Sequence, residues 1–150
     1  MTPVDLNFRN NVQGDLFSRG FPKINETYSF FSIIASKEKE FTQNLAVLEK
    51  SGQISHLTKV LADWKTVDSR PQGAIIDVSN ALIAFSMKGL EKIQAGLGGT
   101  GLQLASLKES DPAFDAGMKT DSPAFLNDPP VTEWDPLFRH AIHGLLKVAG

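Results

Sequence analysis

Residues 96–101, Gly-Leu-Gly-Gly-Thr-Gly, carry the spacing G-x-G-x-x-G. In a dinucleotide fold that spacing turns backbone N–H groups onto a pyrophosphate, but only after a strand and at the start of a helix. Here residues 87–95, just ahead of the glycines, read as a helix, and no acidic residue follows at the distance a ribose would need. The glycines are read instead as a flexible loop, with Gly96 as a helix C-cap. His140 and His143 form H-x-x-H. On a helix the two would share a face and could grip a metal. On a strand, the reading preferred here, they point to opposite faces. His143 is expected to be a hydrogen-bonded structural residue, and His56 an isolated one on a solvated helix face. Asp111, Asp115, Asp121, Asp128, Glu133 and Asp135 crowd one stretch. Paired carboxylates can move protons or bind calcium. This spacing fits no EF-hand, and Asp-Pro steps start turns, so helix caps and turns are the expectation. There is no cysteine, which removes disulfides, thiolate metal sites and thiol nucleophiles. No nucleophile elbow accompanies the three histidines. The chain by itself is therefore expected to hold no catalytic, cofactor-binding or metal-binding residue.

The elements that would position these groups follow from composition and pattern. With 150 residues, 41% hydrophobic and 21% charged, the chain suits one globular domain over residues 1–150. Net charge is -2, from 15 basic residues scattered among 17 acidic ones, which points away from nucleic acid. No apolar run is long enough to cross a bilayer. Residues 1–11 are polar and carry no signal peptide pattern. The expected location is the cytoplasm, or outside the cell without a recognisable signal peptide. Asn25-Glu26-Thr27 fits a glycosylation acceptor, whose use would require secretion.

Residues 26–34 are aromatic and β-branched and read as strand one, with large apolar groups on both faces that call for cover. Residues 38–64 read as helix, broken at Ser51-Gly52. Ile54, Leu57, Val60, Leu61 and Trp64 form an apolar stripe in its second part. Pro71 and Gly73 mark a turn. A second strand lies within residues 74–86, firmest at 81–85, and a short helix follows over 87–95. Residues 96–135 read as a long loop that is functional or wrapped on a partner. Residues 140–148 read as strand three. The pattern is α+β.

Four stretches carry a resemblance. Asn11-Val12-Gln13-Gly14-Asp15-Leu16 is the first. Gly20-Phe21-Pro22-Lys23 with Glu26-Thr27-Tyr28-Ser29-Phe30-Phe31-Ser32-Ile33 is the second. The third is Ala81-Leu82-Ile83-Ala84-Phe85-Ser86-Met87-Lys88-Gly89-Leu90. The fourth runs Phe114, Gly117-Met118, Asp121, Leu126, Asp128-Pro129, Trp134 and His143-Gly144. In this order they resemble the N-terminal region of fungal dye-decolorising (DyP-type) peroxidases.

The resemblance implies a ferredoxin-like antiparallel sheet with helices on one face. It also implies that haem belongs to a second, C-terminal copy of that unit. The family's Gly-x-x-Asp-Gly motif, distal Arg and proximal His match no position here, so the resemblance carries the fold and not the haem chemistry. Haem would enter only if a missing half were supplied, and any enzymatic role would be that of a haem-dependent peroxidase.

In that topology a fourth strand pairs with strand one. Residues 27–34 would keep an open edge without it, and open edges recruit other chains. The expected function is a non-catalytic homodimeric or partner-binding protein. Tyr28, Phe30, Phe31, Ile33 and Trp134 are its interface candidates, while Trp64 belongs to the core. The alternatives are a scaffold part of a truncated or split haem peroxidase, and a small-molecule-binding ferredoxin-like module.

Overall fold

A computed structural model describes residues 10–16 and 19–150. The polar stretch 1–9, read above as lacking a signal peptide, lies outside the described residues. The fold is α+β: three strands in one sheet, with helices between them. The strands are β1 (Glu26–Phe31), β2 (Asn80–Phe85) and β3 (Gly144–Ala149), in the order β1-β3-β2. At one end, Asn25 and Gly150 exchange N–H and C=O bonds. At the other, the His143 N–H donates to the Phe31 carbonyl, and the Ser86 N–H donates to the His143 carbonyl. β3 therefore runs antiparallel to both neighbours. β1 is an edge strand of this sheet.

The chain divides into two compact units. Among the described residues, the first contains 10–16, 19–29, 45–83 and 146–150. Its helix α2 (Leu57–Asp68) follows α1 (Glu38–Lys50), and the two are parted at Gly52, whose φ of 71° ends the first helix. The stripe expected on this region lies inward as read: Ile54, Leu57 and Val60 are buried. Val60 joins Phe21, Leu82 and Ala149 in the apolar core, and Trp64 packs against them.

The second unit contains residues 30–44 and 84–145. Its helix α3 (Met87–Gly96) begins at Ser86, whose hydroxyl accepts the Gly89 N–H at 3.1 Å. The ring of Phe31 meets those of Phe41 and Phe85 at centroid distances of 5.6 and 6.0 Å, forming the unit's aromatic cluster.

Residues 96–135 are not a long loop. They fold into α4 (Leu104–Ser110), α5 (Pro112–Ala116), α6 (Met118–Phe125) and a 3-10 turn at Val131–Glu133, with α7 (Pro136–Arg139) next. Asp111 and Asp135 accept the N–H groups of Phe114 and Leu137, each at 2.9 Å, and each precedes a proline at the first helical position. The Asp-Pro steps are thus helix starts, as N-cap and N1 chemistry allows. Strand three also begins later than expected, at Gly144 rather than 140, because the carbonyls of His140, Ala141 and Ile142 are taken by the Lys119, Ser32 and Ser86 side chains. Strand one ends earlier, at Phe31. Its middle, residues 27–30, is exposed on both faces, so the expected cover on both sides is not found among the described residues.

Candidate functional site

β1 and the groups tied to its two ends make up the candidate site. In the first unit, four residues of the chain's N-terminal part gather at one residue of β3. Lys147 Nζ lies 2.6 Å from Asp15 Oδ2 and 2.5 Å from Glu26 Oε1. Lys23 bonds the same Glu26 oxygen, and the Tyr28 hydroxyl donates to Glu26 Oε2 at 2.8 Å. Burial works against the charge on Lys147, but the bonds to Asp15 and Glu26 outweigh it and hold its pKa above the ordinary lysine range. The bonds from Lys147 and Lys23 pull Glu26 down to about 2. Asp15 also accepts the Phe21 N–H at 3.0 Å, which fixes the turn that delivers Phe21 to the core. Glu26 and Lys147 therefore stay charged near neutral pH and pin the start of β1.

In the second unit, the pin is neutral. His143 Nδ1 accepts the Ile33 N–H at 2.7 Å. Burial, followed by the charges of Lys92 and Lys88, lowers the His143 pKa below its ordinary 6.5, against the opposing pull of Glu38. The expectation of a hydrogen-bonded structural histidine matches this geometry, although His143 precedes the strand instead of lying on it. His140 is exposed beyond α7. His56 sits at the N-cap of α2, not on a helix face, with Nε2 3.6 Å from Glu49.

The interface candidates are placed unequally. Tyr28 and Phe30 are 51% and 53% exposed. Phe31 turns into the aromatic cluster and Ile33 is only 5% exposed, so both meet their own unit. Trp134 is half-buried and donates its indole N–H to the Pro129 carbonyl at 2.8 Å, bracing its own loop. Sequence reasoning missed Phe138, whose ring meets Phe30 edge-on at 5.2 Å. The signal available for it was the Asp135-Pro136 helix start, which sets Phe138 in the first turn of α7.

The glycine motif does not open a helix at a phosphate-binding turn. Gly96 is the last residue of α3, and Gly98 and Gly99 have φ of 83° and 85°, the left-handed geometry of a helix exit. Among the described residues, no group of three or more His, Asp or Glu side chains is arranged to hold a metal ion.

Residues 11–150 match the family model described as the DyP dimeric alpha+beta barrel domain. The chain belongs to that family. Three solved structures show the same likeness. An ancestral D-type dye-decolorizing peroxidase is 33% identical, with a TM-score of 0.68 over 99% of this chain. A mutant of the dye-decolorizing peroxidase from Pleurotus ostreatus is 26% identical, with a TM-score of 0.66 over 95%. A DyP-type peroxidase from Anabaena sp. is 19% identical, with a TM-score of 0.73 over 95%, which speaks for the fold alone. This chain spans 28% of the length of each. No curated protein matches it.

In two of the three histidines the Nδ1 atom is bonded or enclosed. An axial histidine needs a ring nitrogen free to face iron across an open cavity. His143 Nδ1 is taken by Ile33 in a buried setting. The Nδ1 atom of His56 is enclosed and has no hydrogen-bond partner among the described residues. A hollow of about 540 Å³ is lined by Arg19, Leu61, Trp64, Lys65, Asp68 and Ser69, none of them a histidine.

Proposed function

We propose that this domain is a haem-free DyP-type scaffold that works by association, with a second copy of the chain pairing along β1. The supporting observation is that β1 is an edge strand whose exposed middle carries Tyr28 and Phe30. Odd-numbered residues bond toward β3 at both ends of the strand, at Asn25 and Phe31. The antiparallel pattern then turns the backbone N–H and C=O groups of Tyr28 and Phe30 toward the open edge. Natural edges are blunted by proline, lysine or a bulge, and β1 carries neither residue. Its one charge, Glu26, is already held by Lys147 and Lys23. The word "dimeric" in the family description agrees with this reading. No helix among the described residues is long and apolar enough to cross a membrane.

A second reading has its own support: the chain matches 28% of three peroxidases along almost its whole length. In that case it supplies scaffold to a haem enzyme whose other part covers the β1 edge. Two measurements separate the readings. Light scattering on the purified chain at micromolar concentration gives a dimer under the first reading, and a Phe30→Lys substitution returns it to monomer. Hemin titration gives no saturable Soret band at about 400 nm for this chain alone. A monomer that gains haem and peroxidase activity only when mixed with a peroxidase C-terminal part would favour the second reading and defeat the first.

A further inference from the structure

We infer that His143 is a proton-released latch: its neutral ring ties the chain just beyond β1 to the segment leading into β3, and protonation lets that tie go. Nδ1 can accept the Ile33 N–H at 2.7 Å only through a lone pair, so the ring is neutral with its proton on Nε2. A protonated imidazole has two donors and no acceptor. The Ile33 N–H would then face another N–H inside a buried pocket, where an unpaired amide is unfavourable.

The rest of His143 is held in place. Its backbone N–H donates to the Phe31 carbonyl at 2.9 Å, and its carbonyl accepts the Ser86 N–H at 3.1 Å. Gly89 of α3 passes so close that a side-chain carbon there would collide with that same carbonyl. The backbone of His143 is therefore fixed, and the contact that protonation changes is the one its ring makes to Ile33.

The charged groups acting on the ring come from two helices. α3 contributes Lys88 and Lys92, and α1 contributes Glu38, which bonds Lys92 at 2.8 Å. On the segment carrying His143 itself, Arg139 and His140 are exposed. Two positive charges against one negative, added to burial, favour the neutral ring. The latch is thus closed at neutral pH, and it opens as pH falls through a value below 6.5.

What it frees is short and defined. Ile33 leads into an exposed turn in which the Lys37 N–H bonds the Ile34 carbonyl at 3.0 Å and Ser36 has φ of 69°. α1 starts immediately after, at Glu38. Opening the latch loosens this turn and the Phe31 side of the aromatic cluster. The inference stands whether or not β1 pairs with a second copy.

The test is nuclear magnetic resonance on the intact chain, following the His143 ring and the Ile33 amide from neutral pH to about pH 4. Both signals should shift with one shared midpoint below 6.5. Ile33 should lose about tenfold or more of its protection from hydrogen exchange across that transition, as expected of a local opening. In His143→Asn, whose amide oxygen accepts but does not titrate, the Ile33 signal should stay flat over the same range. An Ile33 amide that ignores the His143 transition overturns the inference, as does one that titrates unchanged in the Asn variant. Should that variant not fold, the coupling of the two signals in the native chain decides alone.

Discussion

The two units are fastened by different chemistry. In the first, Lys147 of β3 is clasped by Asp15 and Glu26 beside a core of Phe21, Val60, Leu82 and Ala149. In the second, three phenylalanine rings pack together and a neutral histidine closes the corner through Ile33. The ionic pin persists far into acid, because Glu26 keeps its charge down to about pH 2. The neutral pin is lost when His143 gains its charge, at a pH below its ordinary 6.5. Acid should therefore loosen one unit while the other keeps its shape. The comparison teaches that a small sheet can be made responsive at one end only, by choosing which end depends on a titrating acceptor.

The sharpest way to break this contrast is to remove an apolar anchor from the first unit. Phe21 is almost fully buried, and Phe21→Ala should destabilise by about 3–5 kcal/mol in urea unfolding, at any pH. Next in size is Lys147→Met, which keeps much of the side chain's volume and removes its charge. Glu26 should then titrate upward from about 2 toward its ordinary 4.5, visible by carbon-detected NMR. The sign follows from linkage. A depressed carboxylate pKa stabilises the fold above 4.5, and that stabilisation fades as pH falls toward about 2. The variant should lose that dependence.

His143 has the same sign at a higher pH. Its lowered pKa means that the unfolded chain binds more protons, so stability is full above 6.5 and declines as pH drops through the folded value. A melting-temperature profile should fall over this range in the native chain and flatten in His143→Asn. The smallest expected effect is at a helix start. Ser86→Ala removes the cap bonded to Gly89 and should cost about 1 kcal/mol at neutral pH, read from the denaturation midpoint.

Much of the fold was legible because its signals are local. The stripe Ile54, Leu57, Val60 and Trp64 announced α2 through its period, and residues 81–85 announced β2 through β-branched and aromatic content. The stretch 96–135 misled for an equally local reason. Helices of five to eight residues are too short to display an apolar period, and Asp-Pro reads the same whether it begins a turn or caps a helix. The expected span of strand three was drawn too far toward its start because His140-Ala141-Ile142 has strand-like content, while side chains of Lys119, Ser32 and Ser86 take the carbonyls of these three residues.

The candidate site was legible only in part. Tyr28 and Phe30 could be placed on one side of an edge strand by alternation. The partners that fix this strand are remote in the chain: Lys147 lies 132 residues from Asp15, and His143 lies 110 from Ile33. Pairings of that length leave no periodic trace. A lysine amid the apolar residues of β3 gave the one hint that an acidic partner must be waiting.

The account's central claim is that β1 presents an open edge to a second copy, and the mass of the native chain in solution tests it most directly. Multi-angle light scattering at micromolar concentration should return twice the chain mass, falling to the single mass for Phe30→Lys with the circular dichroism spectrum unchanged. A native chain that runs as a monomer at every concentration up to that range would contradict it.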